Sequence, residues 1–449
     1  MGGITRMKLL KKILIFITIF LIISSYGESL SVDKQRFVEK PNESSLLKGG
    51  HLELRDGVKI LFINGTYYEM GYQHGYLLKN EIHENTRAIL KRAEEVSSYE
   101  ILLNIWNITR PFVPSCYIDE MQGIADGADI SFEELAVSYM FVVGIDLKCF
   151  TYAAWADATK DGRLYHIRSL DFGLVIKDPV TDKYIQENSV LIVHKPNGGL
   201  KAIIPSIAGW INFYQGINEE QVSIGVQVCW SSDQTLKAIP TMFKVQKILD
   251  SAKDADEALK ILTSNTTLGW NYILSDAKTH IGYAVETTAN HTYVGTWNNS
   301  VEDKYPFWEI KNVVRRTNFF IEPKLAATQR ERYNPGGLIG FIKIFSGESF
   351  FLLWRKYRAM SMEIEKNLGN IDLNSSIFLL RKVYTGKTDI FMFIFINFIK
   401  TGILCDFHQW SVCPETGDFV ISFADADNNA HETQLHYFNL DELYEMDYS

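Results

Sequence analysis

Apolar positions along the chain follow two periods, and the change between them marks its organisation. Residues 50–70, "HLELRDGVKILFINGTYYEMG", alternate apolar and polar around Asp56-Gly57, which predicts a strand pair. The segment after it, "GYQHGYLLKNEIHENTRAILKRAEEVSSYEILLNIW", carries apolar residues three and four apart, which predicts helices. "SCYIDEMQGIADGADISFEELAVSYMFVVGI" continues as helices broken near Gly127, with Ser131 and Glu134 as a capping box for the second. From Cys149 the period becomes two. "CFTYAAWADATKDGRLYHIRSLDF", "SVLIVHKPNGGLKAIIPSIAGWINFYQGINEEQVSIGVQVCW" and "WNYILSDAKTHIGYAVETTANHTYVGTWNN" read as antiparallel hairpins with Asp-Gly, Asn-Gly-Gly or Asn-Glu turns. An amphipathic helix pair, "MFKVQKILDSAKDADEALKIL", separates them, and the tail from Phe407 returns to strands. Helices before and between runs of antiparallel strands predict an α+β chain built as one layered domain.

Two apolar stretches interrupt this pattern, residues 336–354 and 390–399. Both fall short of the roughly 20 uninterrupted apolar residues of a membrane span. A buried helix or strand is one reading. A lipid-contacting surface, or a mouth for acyl chains, is the other, so peripheral membrane contact stays among the expected partners.

The ends and the charge narrow the class. Lys8, Lys11 and Lys12 precede "ILIFITIFLII" and then "SSYGES", which reads as a signal peptide over residues 1–27, with an uncleaved signal anchor as the alternative. Asn-x-Ser/Thr sequons at Asn42, Asn64, Asn107, Asn265, Asn290, Asn298 and Asn374 point the same way, to a secreted or lysosomal glycoprotein. A net charge of −9 without a basic run beyond the N-terminus argues against a nucleic-acid partner. Five cysteines in an oxidising compartment leave at least one unpaired. Cys405 and Cys413 flank a short turn-like stretch and are the candidate pair. Cys149 is the candidate odd one out.

Most motif-borne chemistry is excluded. The histidines of "HETQLH" (His431–His436) are five residues apart and do not share a helical face, so the segment is not a zinc-protease helix. "DADNNAHETQLH" lacks the central Gly and closing Glu of a calcium loop. Neither a G-x-S-x-G elbow nor a P-loop, dinucleotide fingerprint or papain-like cysteine signature occurs. No metal and no cofactor is expected. Cys149 remains. A thiol needs a base or a lowered pKa to attack an amide. His166 is near in sequence, but at that hairpin position it is as readily a satisfied surface residue. A cut just before Cys149 supplies another base, the new α-amine, which titrates near neutrality. The hairpin puts Arg168, Ser169 and Asp171 opposite the Cys149 end, where a carboxylate orients an amine and a guanidinium binds a carbonyl or carboxylate. As a nucleophile, Cys149 is expected to reach solvent.

The same segment resembles the start of the catalytic chain in N-terminal-nucleophile hydrolases. The resemblance is to the acyl-coenzyme A:6-aminopenicillanate acyltransferase family (peptidase family C45), related to bile salt hydrolases and acid ceramidases. "EMGYQHGYLLKNEI" is similar to the family's G-x-Q-H-G segment, and "DEMQGIADGADIS" to its E-x-x-G-I-A-x-G-A element. "WNYILSDAKTHIGYAVE" resembles the Asn-bearing strand pair, and "RRTNFF" the R-x-T-N-H-F motif, with Phe319 in place of His. In this order they span roughly residues 55–445. The resemblance implies a four-layer αββα fold and self-cleavage between Lys148 and Cys149, although Lys148 stands where a small residue is common. Residues 28–148 would become a small, mostly helical chain and residues 149–449 the catalytic large chain of the same domain. It further implies Cys149 as nucleophile, Asp171 holding its amine and Asn271 as an oxyanion donor. Arg168 would sit by the amine or the substrate carbonyl, Arg316 would line the pocket, and Gln73 and His74 would be structural. Blander roles stand beside these: Asn271 capping a turn, Arg168 in a surface ion pair, Cys149 inert. The expected reaction is hydrolysis of a linear N-acyl or lipid amide through an acyl-enzyme. The alternatives are an acyltransferase using an acyl thioester and an inactive glycosylated binding protein on the same fold. An Asp171→Asn chain is expected to fold.

Overall fold

The computed structural model describes residues 43–141, 148–330, 341–342, 350–394 and 405–448. The first strand pair forms as expected: β1 (His51–Arg55) and β2 (Val58–Gly65) pair antiparallel around Asp56 and Gly57. Both turn residues have positive φ, 49° and 82°, the geometry of a tight hairpin turn. Five helices follow: α1 (Tyr67–Leu77), α2 (Lys79–Val96), α3 (Tyr99–Thr109), α4 (Ser115–Ala128) and α5 (Phe132–Phe141). The Ser131–Glu134 box ahead of α5 is present, hydroxyl and backbone bonded reciprocally. Gly127 does not break a helix. It lies inside α4, which ends at Asp129 in the left-handed conformation.

The interior glycines of α1 and α4 serve close approach instead. A Cβ on Gly71 would lie 2.0 Å from the Glu120 carbonyl, and one on Gly75 would lie 2.3 Å from that of Ile124. Gly123 and Gly127 face the Tyr68 and Tyr72 carbonyls just as tightly, at 2.2 and 2.4 Å. The two helices thus meet backbone to backbone.

The remaining strands are β3 (Phe150–Ala156), β4 (Gly162–Asp171), β5 (Ser189–Pro196), β6 (Ala202–Ile207), β7 (Gln215–Asn218) and β8 (Val222–Val228). After α6 (Thr241–Ser251) and α7 (Ala255–Thr263) come β9 (Trp270–Asp276), β10 (Ile281–Thr287), β11 (Thr292–Gly295) and β12 (Val313–Arg316). Helices α8 (Phe350–Lys366), α9 (Leu373–Tyr384) and α10 (Ile390–Ile394) precede β13 (Asp406–Val412), β14 (Asp418–Phe423) and β15 (His436–Asn439). Among the described residues one sheet has nine strands in the order β1-β2-β5-β6-β7-β8-β9-β10-β11, and the other six, β12-β3-β4-β13-β14-β15. Among the named strands of the described residues all pairs are antiparallel except β2 with β5, a departure from the expected hairpins. The helices and the β3–β4 hairpin intervene between those two strands, so the chain returns to the first sheet by a crossover.

Strand alternation builds four layers. One face of the large sheet (Leu61, Ile192, Ile204, Ile224, Leu274) packs on α1–α7 in one cluster with Met121, Ile124 and Ile248. Its other face (Ile60, Leu191, Ile203) meets Trp410, Val412 and Ile421 of the small sheet. The outer face of the small sheet (Phe150, Tyr152, Ile167) packs on Tyr357, Ile377 and Leu380 of α8 and α9. The order is helix, sheet, sheet, helix: the αββα fold.

Cys405 and Cys413 do not pair. They bracket a strand rather than a turn, which at about 3.4 Å per residue separates them by roughly 25 Å, far beyond disulfide reach. All five cysteines lie within the described residues and are free thiols. Asn42 and the expected signal peptide lie outside the described residues. Asn107, Asn265, Asn290, Asn298 and Asn374 are exposed, whereas Asn64 is half-buried and donates its amide to the Gly49 carbonyl. Most of the first apolar stretch falls outside the described residues. Its end, Phe350–Trp354, opens α8, and the described part of the second forms α10, where Ile390 is exposed. Among the described residues no helix is long and apolar enough to cross a membrane.

Candidate active site

The β3–β4 hairpin carries the site. Its register sets Thr151 opposite Arg168 and Phe150 opposite Ser169, and successive side chains leave the strand on opposite faces. Arg168 therefore points between the sheets. Its guanidinium donates to Gln215 Oε1 (2.7 Å), to the Phe213 carbonyl (3.3 Å) and to the Val226 carbonyl (2.7 Å), and Nη2 lies 3.6 Å from Cys149 Sγ. Gly225 makes the room: a Cβ there would lie 2.8 Å from Arg168 Cδ and Thr151 Cγ2. Arg168 is fully buried, so it is not part of a surface ion pair.

Cys149 is also fully buried in the intact chain, against the expectation that it reaches solvent. Burial pushes its thiol pKa up, and the Arg168 guanidinium pulls it back. Its carbonyl accepts a 2.8 Å hydrogen bond from Thr317 Oγ1, which fixes the start of β3. His166 is buried rather than at the surface, with Nδ1 2.7 Å from Ser275 Oγ.

Asp171, three residues beyond Arg168, leaves β4 on the opposite face and meets the outer helices. It accepts from Tyr384 OH on α9 (2.7 and 2.9 Å), from Lys356 Nζ on α8 (2.6 Å) and from Ser169 Oγ (2.8 Å). Burial raises its pKa to about 6, with neighbouring Asp406 adding to the rise and Lys356 and Tyr384 opposing it. The same Lys356 ammonium donates to the Lys148 carbonyl at 2.7 Å and to Tyr384 OH at 3.2 Å. The Lys148–Cys149 peptide thus lies between a sulfur–guanidinium pair on one face and a lysine–carboxylate–tyrosine cluster on the other.

Asn271 and Arg316 occupy bracing positions. Both amide hydrogens of Asn271 go to main-chain carbonyls, Thr317 at 2.8 Å and Phe319 at 2.7 Å, so in the intact chain it fixes the segment that holds Cys149. Arg316, expected to line a pocket, is fully buried and closed between Glu286 (2.8 Å) and Glu302 (2.6 Å). Gln73 is structural as expected, its amide donating to the carbonyls of Leu46, Lys48 and Asn64. So is His74, whose Nε2 accepts from Gly209 N.

Lys356, Tyr384 and Thr317 escaped the sequence reading. Lys356 left one signal: it sits four residues from both Leu352 and Met360, on the buried stripe of an amphipathic helix where a cation needs a partner.

No family model matches the chain. Protein dcd1B of Dictyostelium discoideum is 28% identical over 229 residues, covering 45% of this chain and 44% of that protein. An uncharacterized protein of Archaeoglobus fulgidus is 24% identical over 300 residues (58% and 48%). Protein dcd1A of Dictyostelium discoideum is 23% identical over 369 residues (74% and 75%). The chain spans about half the length of the first two relatives. Among solved structures, a Caenorhabditis elegans N-acylethanolamine-hydrolyzing acid amidase ortholog is 11% identical at a TM-score of 0.38, covering 65% of this chain and 100% of that one. A mutant of the conjugated bile acid hydrolase of Clostridium perfringens is 14% identical at a TM-score of 0.35 (66% and 94%). Similarities this low leave the chemistry to the chain's own residues.

Those residues suit nucleophilic attack on a carbonyl. The sulfur has a cation beside it to favour the thiolate, and the Lys148 carbonyl that precedes it is bonded to an ammonium.

Proposed function

We propose that this chain is a self-processing cysteine amidohydrolase of the N-terminal-nucleophile type. Cys149 cuts the Lys148–Cys149 bond and then, as the new N-terminus, attacks a linear N-acyl or lipid amide to form an acyl-enzyme that water resolves. The observation that carries this reading is the placing of Cys149 Sγ 3.6 Å from the Arg168 guanidinium, at the head of the strand whose hairpin partner ends on Asp171. Residues 28–148 become the small chain and residues 149–449 the large one. After the cut the α-amine serves as base, oriented by Asp171. An apolar pocket lined by Ile105, Met140, Leu236, Met242 and Trp270 supports an apolar acyl group. These lining residues belong to the same buried cluster as Cys149. Exposure of five sequon asparagines supports passage through the secretory route, to the outside or to lysosomes.

The experiment is intact mass and N-terminal sequencing of purified protein, with turnover measured on N-acylethanolamines and N-acyl amino acids. Wild type is expected as two fragments, the larger beginning at Cys149. Cys149→Ala is expected uncut and inactive. Cys149→Ser is expected to cut slowly with little turnover, because a hydroxyl is far harder to ionise than a thiol. A Cys149→Ala protein still cut at that bond and still active overturns the proposal, since another protease and another nucleophile would then be at work.

A further inference from the structure

We propose that Lys356 is a catalytic residue of the self-cleavage step, its ammonium stabilising the oxyanion that forms at the Lys148 carbonyl. This assignment rests on the self-processing reading above and adds a residue to it.

An ammonium has three N–H donors, and Lys356 places each on a different acceptor: Asp171 Oδ2 at 2.6 Å, the Lys148 carbonyl at 2.7 Å and Tyr384 OH at 3.2 Å. Only the second is a main-chain atom, and it belongs to the bond that self-cleavage breaks. Holding Asp171 does not call for that contact. Tyr384 and Ser169 already donate to the carboxylate, and an ion pair alone is satisfied without reaching the backbone. Lys356 is fully buried, where a charge–oxyanion contact is far stronger than in water.

In the reaction, Cys149 Sγ attacks the carbonyl carbon of Lys148 and negative charge gathers on the carbonyl oxygen, facing Lys356 Nζ. The C–N bond then breaks and the nitrogen takes up the proton that the thiol gave up. A thioester now joins the Lys148 acyl group to Sγ, and the Cys149 amine is free. One water hydrolyses the thioester through a second oxyanion at the same place, leaving a Lys148 carboxylate and the free thiol. Tyr384 and Asp171 keep the ammonium in position throughout. Arg168 acts on the other partner of the reaction, the sulfur, from the opposite face of the hairpin.

The test is the rate at which full-length precursor becomes two chains, followed by intact mass, for wild type, Lys356→Met and Lys356→Gln, with thermal unfolding of each precursor alongside. Loss of one donor to a developing oxyanion slows a reaction by about 100-fold or more, and that slowing is expected for Lys356→Met in a cooperatively folded precursor. If Lys356→Met does not fold, Lys356→Gln decides between the outcomes: it keeps N–H donors for Asp171 but brings no charge to the carbonyl, and at least about tenfold slower cutting is expected. Either folded variant maturing at the wild-type rate overturns the role of Lys356 while leaving self-processing intact. A wild-type protein that stays uncut but active overturns the self-processing reading, and this assignment with it.

Discussion

That Cys149, Arg168 and Asp171 lie at one end of a hairpin was legible in the sequence, because its two strands and their turn are contiguous. What the sequence did not disclose was the company of Asp171, whose partners Lys356 and Tyr384 lie 185 and 213 residues away. That company changes the expectation for Asp171→Asn. Removing the carboxylate leaves the buried Lys356 ammonium without a counter-ion, and breaking a buried pair in this way costs about 3–5 kcal/mol. The variant is therefore expected to fold but to be destabilised as well as inactive. Urea unfolding of Asp171→Asn checks this, with Asp171→Asn/Lys356→Met expected to recover part of the loss. A single variant as stable as wild type would show that Lys356 finds another partner.

Hairpins with Asp-Gly turns and helices with capping boxes were readable from local chemistry, since each signal lies within a few residues. The pairing of β2 with β5 was not, because nothing in either strand names a partner across the intervening helices. Gly127 shows a second limit: a glycine within an apolar repeat reads as a break, yet here it permits contact with another helix. Gly75→Ala is accordingly expected to destabilise by about 3 kcal/mol, since its Cβ would strike the Ile124 carbonyl, a backbone atom that cannot yield. Gly173→Ala, where a Cβ meets nothing within 4 Å, is the control and should be near neutral in thermal unfolding. A buried charge cluster also ties this helical layer to the large sheet. His194 on β5 lies 3.2 Å from Glu120 on α4 and 3.4 Å from Asp250 on α6. Burial would lower its pKa, but the two carboxylates together raise it from 6.5 to about 10. Burial also raises Glu120, and the sign at His194 is set by its facing both acids. A pKa raised on folding gives stability that is complete below pH 6.5 and lost as pH climbs toward 10. The denaturant midpoint should therefore fall between pH 7 and 9, and fall less in His194→Gln, which starts lower. Equal slopes for the two proteins would remove His194 as the cause.

At the scale of the whole molecule, the layer count was legible and the sharing of layers between the two expected chains was not. Periodicity says that strands have two faces. It does not say that the segment before Cys149 supplies two strands of the larger sheet. Here β2 pairs with β5 from Ile60↔Leu191 to Gly65↔Pro196, and α1, α4 and α5 fill one cluster with residues from β5, β6 and α6. A cut at Lys148 would therefore divide a core rather than release a tail. The contact between the fragments is expected to resemble an obligate interface, on the order of 2,000 Å² or more, and no disulfide adds to it. Matured protein should elute from a native sizing column as one particle of the full 51.4 kDa chain, less any signal peptide and plus any glycan, while a denaturing gel shows two bands. The bands should be the same with and without reductant. In rising urea the fragments should part only within the unfolding transition, because separating them exposes the core that holds each one folded. A large fragment that elutes alone under native conditions and still turns over substrate would mean that residues 43–148 are dispensable cover and that the catalytic chain carries a core of its own.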